Sequence, residues 1–129
     1  MTDQEVFDRV ALHLLTQNKK SEYTEAEGTI PFCKYRNSEG LSCAVGCLIP
    51  DDKYDISIEG GSVESMKVSM ILDDLGFGYN TSLLINLQHI HDSFDVDCWE
   101  QELRRTAAVR ELKATVINDF QNGSSGNIR

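Results

Sequence analysis

Four cysteines, three histidines and a run of carboxylates are the side chains of this sequence that could do chemistry. Cys33, Cys43 and Cys47, joined by His91 or Cys98, would offer the four soft ligands of a tetrahedral zinc site. Their spacing counts against it. On a strand Cys43 and Cys47 share a face but stand ~13 Å apart at ~3.3 Å per residue, and they approach only if the chain turns helical at Ala44. The simpler reading is reduced thiols packed as small apolar side chains, with no metal and no other cofactor.

A thiol nucleophile needs a base within reach and a third group to orient that base, and Cys33 or Cys43 with His91 and Asp92 has the residue types. No local signature flanks either cysteine. Asp92 follows His91 directly on a predicted helix, so the two side chains should diverge by about 100° and leave the ring unoriented. His89 and His91, two apart on that helix, also point apart and do not make a metal pair. His91 lies among Leu87, Ile90 and Phe94 and reads as a core-edge histidine bonded to backbone. No catalytic residue is assigned, and a non-enzymatic protein is the expectation.

Tyr35, Arg36, Asp51, Asp52 and Tyr54 form a polar group at the ends of a predicted hairpin. Arg36 is expected to pair with Asp51, Asp52 or Glu59. Gly60-Gly61 and Gly76-x-Gly78 lack both the spacing and the basic residue of a phosphate loop, which argues against nucleotide hydrolysis.

The net charge of −9 is uneven: residues 1–36 carry −1, 37–65 carry −5, 66–97 carry −4 and 98–129 carry +1. Such a field repels phosphate backbones, so direct nucleic-acid binding is not expected. It favours a partner with a basic surface, and the residues singled out for that contact are Asp51, Asp52, Asp55, Glu59, Glu64, Asp73 and Asp74. No stretch approaches the ~20 apolar residues of a membrane span, and the acidic, amphipathic N-terminus is unlike a signal peptide; a cytoplasmic protein is expected.

These residues must be positioned by about four helices on one small antiparallel β-hairpin or sheet, an α+β plan within a single domain of residues 1–120, followed by a flexible polar tail at 121–129. Thr2 and Glu5 have capping-box spacing, and Val6, Phe7, Val10, Ala11, Leu14 and Leu15 mark one face of a helix ending near Gln17. Residues 21–28 read as a loop. The hairpin should run from Ile30 to Pro50 around Asn37-Ser38-Glu39-Gly40, its second run, Leu41 to Ile49, being a doubly covered strand or a strand passing into a helix. After an irregular acidic connection, Ser62 should cap a helix facing inward with Val63, Met66, Met70, Ile71 and Leu75 and stopped by Gly76. A further helix from Thr81 or Ser82 should bury Leu84, Leu87, Ile90, His91 and Phe94. Asp97 with Glu100 should open one long helix carrying Trp99, Leu103, Ala107, Leu112, Val116 and Phe120.

The string Cys33-x-Tyr35-Arg36, Gly40-Leu41-x-Cys43-Ala44-Val45-Gly46-Cys47-Leu48-Ile49-Pro50-Asp51-Asp52-x-Tyr54, with Leu87-Gln88-x-Ile90-His91-Asp92 and a later Trp99, resembles a group of small proteins encoded by tailed bacteriophages and prophages. The resemblance spans about Cys33 to Leu103 and brings no catalytic residues with it. It implies a small acidic accessory protein that acts in the infected cell by binding a host protein, in host takeover or counter-defence. A second expectation is a small-ligand module, nucleotide-like in its target, with a pocket between the hairpin and the His91 helix that uses Tyr35, Arg36, His91 and Trp99. A structural zinc module is the third.

Overall fold

A computed structural model describes residues 1–24 and 32–126, the last three by backbone alone. Five helices of more than one turn occur among them: α1 (Asp3–Gln17), α2 (Met66–Asp74), α3 (Thr81–Ser93), α4 (Trp99–Val109) and α5 (Thr115–Gly126). Two short strands, β1 (Glu22–Tyr23) and β2 (Phe32–Cys33), pair antiparallel with Glu22 opposite Cys33 and Tyr23 opposite Phe32. The α+β plan of helices on a small antiparallel sheet is therefore the observed one.

α1 forms as its sequence dictates. The Thr2 hydroxyl accepts the Glu5 amide and the Glu5 carboxylate accepts the Thr2 amide, completing the capping box. Val6, Phe7, Val10, Ala11 and Leu14 are fully buried. They face α3, α4 and α5, so α1 is the central helix of the core. At its C-terminal end Gln17 acts as a surrogate strand: its Oε1 accepts the Ser42 amide at 3.0 Å while its Nε2 donates to the Ser42 carbonyl at 2.9 Å.

The expected hairpin is corrected in two respects. Ile30 lies outside the described residues, and the partner of β2 is β1, drawn from the stretch read as a loop. The Asn37–Gly40 turn is present, with Asn37 Oδ1 accepting the Glu39 and Leu41 amides and Gly40 at φ +82°, but beyond it only the bridge between Arg36 and Ser42 forms. From Cys43 the chain coils: the Cys47 amide donates to the Cys43 carbonyl and Gly46–Leu48 is a 3₁₀ turn packed on α1. Cys43 and Cys47 thus stand one helical turn apart. Gly46 is required there, because a Cβ would overlap the Tyr35 carbonyl oxygen.

In α2 the N-cap is Ser65 and Val63 lies before the helix; Val63 is buried and Ile71 and Leu75 pack against the core as expected, but Met66 and Met70 are exposed and Val68 and Leu72 take their place facing inward. Gly76, at φ +89°, ends it as expected. α3 buries Leu83, Leu84, Leu87, Ile90 and His91. The long C-terminal helix is two. The Asp97–Glu100 capping box does not form, a 3₁₀ turn at Val96–Cys98 leading into α4 instead. After Val109 the chain breaks at Glu111, φ +59°, and α5 folds back on α1 with Ile117 fully buried and Phe120 half-buried. Gln4 clamps the return, accepting the Lys113 amide at 2.8 Å and donating to its carbonyl at 3.0 Å. The helix continues to Gly126 through residues 121–126, which were expected in the tail.

Candidate functional site

Between β2, the 60–64 connection and α3 lies a groove of about 640 Å³. That is within the ~300–1,000 Å³ usual for ligand sites. Phe32 and Cys33 come from β2, Val63 and Glu64 from the connection, and Ile85, Gln88, His89, Asp92 and Ser93 from α3. The α3 members recur at three- and four-residue intervals, leaving the core residues to the opposite face.

Asp92 is the hub of this groove. Its Oδ1 accepts Nδ1–H of His91 at 2.7 Å and Nε2–H of Gln88 at 2.8 Å, and the Cys33 thiol donates to the same carboxylate. Burial alone would raise the Asp92 carboxyl, but the bonds from His91, Cys33 and Gln88 outweigh it and hold it below its ordinary 3.8. The carboxylate is therefore ionised at neutral pH. Gln88 in turn accepts the Val45 amide at 3.0 Å, tying the coiled segment to the hub.

The expectation that Asp92 cannot orient His91 is overturned: the adjacent side chains meet through Nδ1. The 100° divergence is measured at Cβ, and both side chains are long enough to bend back toward each other at the end of α3. His91 is nonetheless a buried core histidine bonded to backbone. It is fully buried, it stacks on Trp99 with ring centroids 5.5 Å apart, and its Nε2 accepts the Ser21 amide at 2.9 Å.

That wiring decides what the Cys33, His91 and Asp92 cluster can do. Their ligand atoms lie within 4.8 Å of one another, a spacing a metal could use. A metal on Nδ1 would move the ring proton to Nε2, where it would face the Ser21 N–H donor, so ligation breaks a buried hydrogen bond. Cys43 and Cys47 do not join the cluster. For thiol chemistry, neither ring nitrogen is available to take the Cys33 proton. The thiol is pushed up to about 12, first by burial and then by the Asp92 carboxylate it donates to. Cys47 is likewise pushed up to about 12 by burial, and Cys43 higher still. These are protonated thiols, and all four cysteines are free.

The other residues singled out from sequence fall elsewhere. Arg36 pairs with Asp51 at 2.7 Å, donates to the Ile49 carbonyl at 2.7 Å and lies over the Tyr54 ring at 4.6 Å. Glu59 is consumed inside the fold, accepting the Tyr35 amide, the Arg36 amide and the Tyr54 hydroxyl. Tyr35 is buried at the groove wall and donates to the Gly61 carbonyl at 2.7 Å. Trp99 is buried and donates to the Phe94 carbonyl. A pocket between the β segment and the His91 helix is thus present, but of the four residues expected to line it only Tyr35 does. Asp55 caps the Ser57 amide; Asp52, Glu64, Asp73 and Asp74 are exposed, and Glu64 alone of the acidic set lines the groove. From sequence Asp92 enters only as a group to orient His91, and its pairing with Gln88 is missed, although their i, i+4 spacing on α3 is a readable signal.

Comparison of the chain with protein-family models, with curated proteins and with solved structures finds no match in any of the three. Among the described residues no helix is long and apolar enough to cross a membrane.

Proposed function

We propose that this protein is a non-catalytic binding module for a basic protein partner, a host protein in the phage setting that the Cys33–Leu103 resemblance implies. The observation that carries the reading is the Asp92 carboxylate, ionised and held by His91 and Gln88 in a groove whose apolar wall is formed by Phe32, Val63 and Ile85. A fixed charge on an apolar ground gives a partner both orientation and selectivity. The groups that could have carried a reaction, Cys33 and His91, are spent on holding that carboxylate and the Ser21 amide. The net charge of −9 adds a long-range pull on a basic surface.

The test is affinity capture from phage-infected host cells, followed by binding of the purified captured protein across a salt series. A basic partner whose affinity falls with salt and with Asp92→Asn supports the reading. Salt-insensitive binding, or none, overturns it. A second reading, a small-ligand module, is favoured by the groove's volume. A thermal-shift screen of metabolites and nucleotides separates it from the first.

A further inference from the structure

We infer that the groove recognises one chemical group, an ammonium carried on an unbranched apolar stem, with the charge seated at Asp92 and the stem along Phe32, Val63 and Ile85. This rests on the binding-module reading and names what enters its site. Asp92, 37% exposed at the groove wall, takes both His91 and Gln88 on Oδ1, and with roughly four acceptor positions on a carboxylate there is room for a further N–H. A neutral apolar occupant would strip water from that charge and return nothing, while an anion would be repelled by Asp92 and by Glu64 at the wall.

The cations already present do not fill the position. Lys34 lines the groove but its Nζ lies 5.2 Å from the centroid of the Tyr23 ring. Lys20 reaches the backbone carbonyl of Asp92 at 3.4 Å. His89 Nδ1 shares a hydrogen bond with Ser93 Oγ at 3.2 Å. At Gly60, which lines the groove, an added Cβ would meet nothing within 4 Å. Phe32 and Ile85 are 48% and 39% exposed, apolar surface that an alkyl stem would cover.

The same chemistry could come from a lysine side chain of a protein or from a free amine, and two probes distinguish them. The intact protein, isotopically labelled, is titrated by NMR with hexylammonium, 1-hexanol and hexanoate, and separately with the capped peptide Gly-Lys-Gly and its norleucine counterpart. Hexylammonium should shift the amides of Cys33, Val63, Gln88 and Asp92, while hexanol and hexanoate should leave them in place. Asp92→Asn keeps an acceptor for His91 and Gln88 while removing the charge, and should weaken hexylammonium roughly tenfold or more. Because Asp92→Asn could disturb the fold, Ile85→Arg serves as the second variant: it places a competing cation at an exposed point of the wall and should also abolish the shifts.

Binding of the lysine peptide but not the norleucine peptide assigns the group to a protein side chain. Binding of hexylammonium alone assigns it to a free amine and supports the same chemistry. Equal binding of hexanol or hexanoate, shifts outside the groove, or indifference to both variants overturns the inference. If amines bind here while infected cells yield no basic partner, the proposed function falls and this inference stands; the converse outcome reverses the two.

Discussion

Replacing His91 by phenylalanine isolates the polar role of the ring, since the aromatic plane that stacks on Trp99 is kept. Two hydrogen bonds are lost. The Ser21 amide belongs to a fully buried residue, and leaving it without an acceptor costs about 1–3 kcal/mol. The bond from Nδ1 to the Asp92 carboxylate would be worth more in isolation, but that side chain is 37% exposed and water replaces much of it, so about 1 kcal/mol is assigned. The expected destabilisation is therefore roughly 2–4 kcal/mol. Urea unfolding followed by circular dichroism measures it, and a cycle with Asp92→Ala, which removes the acceptor, should return the ~1 kcal/mol share as coupling between the two positions. Hydrogen exchange gives an independent reading, because the Ser21 amide should lose its protection in the variant. A destabilisation below about 0.5 kcal/mol, or an unchanged Ser21 amide, would refute the assignment of His91 as a wiring residue.

Gly46→Ala should lower stability by about 1–3 kcal/mol, because its Cβ overlaps backbone that a rotamer change cannot move; a neutral result in thermal melts would contradict the close approach to Tyr35. Burial raises the Cys33 and Cys47 thiols to about 12, so their neutral forms stabilise the fold below the ordinary 9.0, and that contribution drains away as pH climbs from there toward 12. Alkylation of Cys33 by iodoacetamide at neutral pH should accordingly be slower than that of a free thiol, and rapid labelling would count against its bond to Asp92. Asp92 works in the opposite sense: its lowered value gives stability that is present above 3.8 and lost as pH falls below it, so Asp92→Asn should flatten the acid limb of the stability profile measured by denaturant unfolding. Gln17→Ala should fray the Ser42 segment from α1 and cost roughly 1 kcal/mol, read as faster exchange of the Ser42 amide.

The legible parts of the fold are those where two local signals coincide. At α1 the Thr2–Glu5 box and the apolar period agree, and at α2 Gly76 stops the helix through the left-handed conformation glycine adopts freely. The same kind of stop after α4 is hidden because a glutamate performs it: the Leu112 amide bonds back to Ala107 and the Glu111 amide to Ala108, so Glu111 occupies the left-handed position without the residue type that announces it. Composition could not choose between the two readings of the Leu41–Ile49 run, since an apolar stretch that coils on α1 after a single bridge at Ser42 looks the same as a covered strand; the chain takes the second course, turning at Gly46–Leu48. Tertiary packing also chose the face of α2: Met66 and Met70 satisfy the helical period, yet Val68 and Leu72 meet the core. In the groove, Arg36 and His91 attracted attention by type, whereas Asp92 became the centre through two local donors, His91 and Gln88, and through Cys33 of β2, whose approach is a long-range contact.

The Gln4 clamp on Lys113 joins residues 109 positions apart, and through it α5 completes the surroundings of α1. A chain leaving the ribosome makes α1 first and α5 last. Until α5 emerges, Val6, Phe7, Val10, Ala11 and Leu14 have no complete surface to bury against, so stable packing of α1 waits on α5. The vulnerable interval for this protein is thus its own translation, when the apolar face of α1 stands uncovered and invites chaperones or premature association with other nascent chains.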